Sequence, residues 1–224
     1  MERKIIKTAD GSVTIHLPEW DEQYHSKHGA IQEAKHVFIK MGLTWYREKY
    51  HPEEISILEV GFGTGLNAFI TLLEAENFGM RIKYTGVEAY PVNIEEIKDL
   101  NYVDALSAED KYSIFNKLHS TSWETETKIT DDFSLCKQQK KFQKIIENAQ
   151  YNLIYFDAFG ARVQPELWTE EVFEIMFKAL KTEGVLVTYS AKGSVRRAMQ
   201  TVGFVVERLP GPPGKREMLR AVKK

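Results

Sequence analysis

The chain has 224 residues, 43% hydrophobic and 28% charged, with a net charge of −2. That suits one folded unit with a sizeable core and excludes a disordered or collagen-like chain. No window approaches ~18 consecutive apolar residues, which excludes an obvious membrane helix, and the single cysteine, Cys136, excludes an intramolecular disulfide framework and a multi-cysteine zinc site.

In chain order, Lys4–Thr8 and Ser12–Leu17 flank the turn dipeptide Asp10-Gly11 and predict a hairpin. Its charges alternate with short apolar pairs, which is no signal peptide, so a cytoplasmic location is expected. From Ala30 to about Tyr50 apolar residues recur every three or four positions (Ala30, Ala34, Val37, Phe38, Met41, Trp45), predicting a helix. Residues 1–54 form this extension. Residues 55–224 read as a core in which strand and helix alternate: a strand at Ser56–Val60, a helix at Leu66–Glu76, a strand at Ile82–Glu88 and a helix at Pro91–Leu100. Lys128–Thr130 and Phe133–Cys136 are strand fragments in a stretch with weak periodicity. A strand at Tyr151–Phe156, a helix at Thr169–Leu180 closed by Gly184, a strand at Gly184–Tyr189 and a helix at Ser194–Val202 follow. Phe204–Leu209 and Glu217–Val222, joined by Pro210-Gly-Pro-Pro-Gly214, predict a terminal antiparallel pair. The alternation predicts a single α/β domain with a Rossmann-like, mostly parallel sheet and an antiparallel C-terminal strand.

In such a sheet ligands gather at the carboxyl ends of the strands. There the sequence places Gly61-Phe-Gly-Thr-Gly65, a turn that lets a ligand approach the backbone closely, and Glu88, 23 residues beyond it. A glycine turn or a strand-end glutamate alone is commonly structural. Together, on consecutive strands, they suit a nucleoside whose ribose hydroxyls the acid accepts. The turn is not a pyrophosphate fingerprint, so S-adenosylmethionine fits better than a dinucleotide. Asp157, after an apolar strand, is either a residue that starts a turn or a carboxylate that orients an amine or receives its proton, in a cleft walled by Phe156 and Phe159. His25, His28 and His36 lack metal-ligand spacing, and no metal is expected.

Residues 192–224 hold nine Lys/Arg against two Glu, while the rest of the chain has a net charge of −9. That block is either a solvated surface or a phosphate-facing patch. In the second reading Lys192, Arg196, Arg197, Lys215 and Arg216 contact nucleic acid.

Several longer stretches carry a resemblance: Tyr24-His-Ser-Lys-His-Gly-Ala30, Glu59-Val-Gly-Phe-Gly-Thr-Gly-Leu-Asn67, Tyr155-Phe-Asp-Ala-Phe159, Gln164-Pro-Glu-Leu-Trp-Thr169, Thr188-Tyr-Ser-Ala-Lys-Gly193 and Gly211-Pro-Pro-Gly-Lys-Arg-Glu-Met-Leu219. Over nearly its whole length the sequence resembles the methyltransferase domain of the MnmC family, including its standalone MnmD-like form. The resemblance implies a class I methyltransferase fold. It also implies S-adenosyl-L-methionine-dependent N-methylation of 5-aminomethyl-(2-thio)uridine at the tRNA wobble position, with the anticodon stem-loop as partner. It implies cofactor contacts from Gly61, Phe62, Gly63, Thr64, Gly65, Asn67, Glu88 and Asp157, with Asp157 catalytic and better suited to orienting the amine than to taking its proton, and with the base entering between Phe159, Trp168 and Tyr189. The chain ends at Lys224, without residues for the flavin-dependent oxidase domain of fused members, so functional coupling to a separate amine-producing enzyme system is expected. Two departures are notable. Ala161 stands where the family usually has proline, which loosens the Asp157 loop. Lysines, Lys140 among them, stand where an acid tends to contact adenine. The rival readings are a methyltransferase or aminopropyltransferase acting on another amine, and a catalytically inactive RNA-binding relative.

Overall fold

The computed structural model describes residues 2–224. Two sheets form. The first pairs β1 (Lys4–Lys7) with β2 (Val13–Leu17) as an antiparallel hairpin, Ile5 opposite Ile15, and adds the two-residue β3 (Glu22–Gln23). The hairpin is the one predicted from Asp10-Gly11. Asp10 caps the turn by accepting from the Ser12 amide and hydroxyl.

The second sheet has eight strands: β4 (Glu54–Val60), β5 (Arg81–Val87), β6 (Glu126–Lys128), β7 (Phe133–Gln138), β8 (Tyr151–Phe156), β9 (Leu180–Thr188), β10 (Val205–Pro210) and β11 (Glu217–Val222). Their spatial order is β10-β11-β9-β8-β4-β5-β7-β6. The five central strands run parallel, and β6, β10 and β11 pair antiparallel at the edges. This is the predicted mostly parallel sheet with antiparallel strands at the C-terminus. The order reverses at β4, whose neighbours are β5 on one side and β8 on the other. Ligand crevices in open α/β sheets open at such a reversal.

The sheet's two faces carry separate cores because successive side chains point to opposite sides. Ile55, Ile57, Leu153, Tyr155, Val185 and Val187 face a cluster built by residues 30–50, the helix Leu66–Phe78, Tyr102 and Phe115. Leu58, Val60, Ile154, Phe156 and Leu186 face Val172, Phe173 and Met176 of the helix Glu170–Ala179 and Val195 and Met199 of the helix Gly193–Thr201. Both faces are apolar because both are covered, which explains the unbroken apolar runs in β4 and β8.

Several boundaries differ from the sequence expectation. The helical run over residues 30–50 is π-helical from Lys35 to Thr44. The wider winding brings Ile39, Leu43 and Tyr46 into the core and leaves Met41 and Trp45 half-buried. Trp45 is covered instead by the Arg220 guanidinium, 3.8 Å from the ring centroid. The helix after Pro91 waits for Asn93, whose capping box starts it at Ile94. The helix capped by Thr169 ends at Ala179, and β9 begins at once. Gly184 lies inside β9, within the register shift against β8, and does not close the helix. Two helices, Tyr102–Ala105 and Tyr112–Ser120, occupy the stretch of weak periodicity. Among the described residues no helix is long and apolar enough to cross a membrane.

Candidate active site

The turn after β4 is a close approach between backbones. Gly61 has φ +94° and Gly63 φ +50°, values that residues with a β-carbon rarely adopt. A β-carbon on Gly61 would lie 2.6 Å from the Asp157 carbonyl oxygen, and one on Gly63 would lie 3.0 Å from the Tyr24 ring. The turn thus presses the carboxyl end of β4 against that of β8 and under the N-terminal extension. Gly65, in the left-handed region, starts the helix Leu66–Phe78.

Glu88 follows β5 and is pre-oriented. Its Oε2 accepts the Gly63 amide at 3.1 Å, and its Oε1 accepts the Tyr90 amide at 2.9 Å. Each carboxylate oxygen has two acceptor positions, so each retains one for a ligand hydroxyl.

These residues border a cavity of about 800 Å³. Of the predicted cofactor residues, Gly61, Phe62, Gly63, Asn67, Glu88 and Asp157 line it. Thr64 and Gly65 do not: Thr64 is buried and accepts the Tyr102 hydroxyl at 3.0 Å, and Gly65 is the helix cap. Phe142 and Gln143, just past β7, form another wall. Lys140 is turned away, paired with Glu147 at 3.1 Å.

A second cavity of about 290 Å³ meets the first. Tyr24, His25, Asp157, Ala158 and Phe159 line both. Tyr189 and Lys215 line only the smaller one, with Glu22 and Glu33. Trp168 lines neither. It is buried and buttresses the wall, its Nε1 donating to the Phe159 carbonyl at 2.8 Å and its ring edge-on to Tyr189.

Asp157 stands at the junction. Asn67 Nδ2 donates both to Asp157 Oδ2 at 2.8 Å and to Glu59 Oε1 at 2.9 Å. Glu59 is fully buried and its Oε2 has no partner, so burial pushes its carboxyl well above the usual range. Asp157 keeps one edge on the cavities, but protein surrounds its carboxyl. Burial first, and the Glu33 charge second, push it up to about 7, against the opposing pull of Asn67 and Lys215. His25, fully enclosed, is pushed down to about 4 and is a neutral wall at neutral pH.

Five of the nine basic residues of the C-terminal block have partners of their own. Arg220 pairs with Glu207, Lys215 with Glu33, Arg208 with Glu217 and Lys224 with Glu183, while Lys223 donates to the carbonyls of Phe177 and Leu180. Lys192, Arg197 and Arg216 are exposed and Arg196 half-buried. Among the described residues these four have no side-chain partner, and they line neither cavity.

The loop bearing Ala161 is anchored without a proline. Arg162 donates to the carbonyls of Trp20 and Asp21, and the Val163 and Gln164 amides close back on the Gly160 carbonyl. Arg3, Trp20, Tyr24, His25, Glu33, Glu59, Phe142 and Gln143, to which sequence patterns gave no role in the site, all line or back the cavities. For Tyr24 and His25 a signal existed: Tyr24-His-Ser-Lys-His-Gly-Ala30 is a polar, aromatic loop of unusual chemistry placed before a helix.

A family of S-adenosyl-L-methionine-dependent methyltransferases matches residues 93–224, more than half of the sequence. The chain belongs to this S-adenosyl-L-methionine-dependent methyltransferase family. The matched region excludes the glycine turn, so the turn is an independent observation pointing to the same cofactor. The methyltransferase is 29% identical over 219 residues to the tRNA 5-methylaminomethyl-2-thiouridine biosynthesis bifunctional protein MnmC of Cupriavidus metallidurans, covering 92% of this chain and 32% of that protein. Against the protein of the same name from Aeromonas hydrophila the identity is 24% over 221 residues, covering 90% of this chain and 32% of that protein. The methyltransferase therefore spans about a third of the length of these curated relatives. Its structure is similar to the crystal structure of MNMC2 from Aquifex aeolicus, with a TM-score of 0.81 and 27% identity, covering all of this chain and 70% of that one. Spermidine synthase from Thermotoga maritima shares the fold, with a TM-score of 0.60 and 14% identity, covering 99% of this chain and 68% of that one.

Proposed function

We propose that this methyltransferase transfers a methyl group to the aminomethyl nitrogen of 5-aminomethyl-(2-thio)uridine at the tRNA wobble position, giving the 5-methylaminomethyl product. The observation that carries the reading is the meeting of a larger and a smaller cavity at Asp157. One suits a nucleoside cofactor and the other a single substituted base. The names of the relatives, tRNA 5-methylaminomethyl-2-thiouridine biosynthesis proteins, supply the substrate class.

The larger cavity suits S-adenosyl-L-methionine. It combines a glycine turn that a β-carbon would obstruct, a carboxylate with free acceptor positions for ribose hydroxyls, and the Asp157 carboxyl, held by Asn67, at its junction with the smaller cavity. Gly61 and Gly63 would admit the amino-acid tail, Glu88 would hold the ribose, and Phe142 and Gln143 would face the base. When bound, the cofactor supplies an electrophilic methyl group on a sulfonium.

The protein's own residues prepare the acceptor. An alkylammonium has no lone pair and must lose a proton before its nitrogen can attack. With an ordinary carboxyl value of 3.8, proton transfer to Asp157 from an amine like that of lysine would cost about 9 kcal/mol. At about 7 the cost falls to about 5 kcal/mol. Asp157 therefore orients the amine and also receives its proton, while Asn67 fixes which carboxylate oxygen faces the cavity. Phe159 and Tyr189 flank the base, and the base is splayed out of the anticodon loop to reach them. The aminomethyl group itself must come from another activity, a coupling expected in the cytoplasm, where tRNA matures.

The test is mass analysis of wobble nucleosides after incubating the protein, S-adenosyl-L-methionine and tRNA bearing 5-aminomethyl groups. The expected result is a gain of one methyl group at that nucleoside alone. No gain there, or methylation elsewhere on the tRNA, overturns the assignment.

A further inference from the structure

The smaller cavity contains an ion pair that the reaction as described does not use. Glu33 is buried, 7% exposed, on the first turn of the helical run over residues 30–50. Its Oε2 accepts the Ser26 amide at 2.9 Å, and its Oε1 accepts Lys215 Nζ at 2.5 Å. Lys215 reaches it from the Pro210–Gly214 turn, 182 residues away, and lies 3.8 Å from the centroid of the Tyr189 ring. The Tyr189 hydroxyl in turn donates to the Ala158 carbonyl, next to Asp157. The N-terminal extension, the β9 end and the C-terminal turn are thus tied together around the junction of the cavities. The Glu33 side chain is 10% exposed but that of Lys215 is 32% exposed, and an ion pair partly open to solvent is a weak source of stability. Its value lies in what it does to its neighbour.

We propose that Glu33 and Lys215 are positioning residues for the acceptor amine: the pair holds Lys215 against Tyr189 as one wall of the smaller cavity and sets the charge balance in which Asp157 meets the amine. The inference rests on the amine entering the smaller cavity. Glu33 favours a proton on Asp157, and Lys215 opposes it. The other groups around Asp157 are Glu59 from β4, Asn67 from the helix Leu66–Phe78, Tyr84 from β5, Tyr24 and His25 from the extension, Tyr189 from the β9 end, and Glu22, Glu88 and His28 on the cavity walls. His25 is neutral, and burial pushes the Glu59 carboxyl well above its usual range. The groups whose charge raises or lowers the Asp157 proton affinity most are therefore Glu33 and Lys215.

Removing either partner should move Asp157 in opposite directions. Glu33→Gln removes a like charge and leaves Lys215 unpaired. Lys215→Met leaves Glu33 unpaired. Carbon-13 NMR of the Asp157 carboxyl in the protein without cofactor should show its titration midpoint about one pH unit lower in the first variant and about one pH unit higher in the second. The double variant should return close to wild type. The acid limb of kcat/KM for tRNA methylation should move the same way. Lys215→Met should also raise KM for tRNA severalfold with little change in cofactor affinity by calorimetry. If Glu33→Gln fails to fold, Lys215→Met alone decides the sign. Unmoved midpoints, or shifts of the same sign in both single variants, overturn the proposal. The NMR result stands whether or not the tRNA substrate is correct, so the two readings fail separately.

Discussion

Asp157→Asn isolates the cost of placing a carboxylate at the junction of the cavities. The amide oxygen can still accept from Asn67 Nδ2, now 2.8 Å from Asp157 Oδ2, so the local bonding survives while the charge is lost. In the folded protein Asp157 is pushed up to about 7 from 3.8. The folded state thus holds this proton more tightly than the unfolded chain. That favourable contribution is full below pH 3.8 and is lost as pH rises through about 7, so the residue weighs on stability most at alkaline pH. The full shift corresponds to about 4 kcal/mol, and about 2 kcal/mol is the better expectation because one edge of Asp157 faces the cavities. For a chain of this size that is roughly 4–8 °C in Tm. Asp157→Asn should therefore melt higher than wild type by that amount at pH 8, and by much less at pH 5, in calorimetric scans. Its methylation rate should fall by orders of magnitude, the usual exchange of stability for function at a strained site. A Tm difference independent of pH, or a less stable variant at pH 8, would refute the reasoning.

Gly63→Val should abolish cofactor binding in calorimetry while far-ultraviolet circular dichroism stays native, since its side chain would enter the cavity against Tyr24; unchanged affinity would move the cofactor elsewhere. Glu88→Ala should weaken cofactor affinity by about 1.5–3 kcal/mol for each ribose hydrogen bond lost, with a smaller effect on turnover at saturation, and normal affinity would remove Glu88 from the site. Asp157→Ala should lower tRNA methylation by orders of magnitude with cofactor still bound; near-normal turnover would show that Asp157 does not handle the amine. Arg196 and Arg197 lack side-chain partners among the described residues. If both meet phosphates, their double alanine variant should flatten the slope of log affinity for tRNA against log salt by about 1.5–2. An unaltered slope would mean that both arginines face solvent.

Much of the architecture was legible from local patterns. The alternation of strand and helix, the Asp10-Gly11 hairpin, the Thr169 cap and the Gly61–Gly65 turn each depend on residues a few positions apart. Their physics is that of backbone freedom, capping and periodicity. Glu88 and Asp157 were legible for a related reason: a polar residue that ends an apolar strand lies at the ligand-bearing edge of a parallel sheet. The π-helical stretch was not, because the apolar pattern was counted at the α-helical period, and the wider winding takes Ile39, Leu43 and Tyr46 rather than Met41 and Trp45 into the core. Nor was the bulged start of β9, where pairing with β8 and β11 overrides the helix-stop signal of Gly184.

What only the tertiary structure decided is which distant side chains share a charge environment. From sequence, Lys215 belongs to a basic block and Glu33 to the polar side of a helix. In the fold a buried Glu33 and a half-buried Lys215 pair beside Asp157, and five of the nine basic residues in residues 192–224 are engaged with partners of their own. Asn67 and Glu59, eight positions apart, become one hydrogen-bonded chain with Asp157, 90 positions from Asn67. Burial and pairing are properties of the packed whole. The sequence alone therefore pointed to the strand ends as the candidate site, and packing set the proton affinity of Asp157 there.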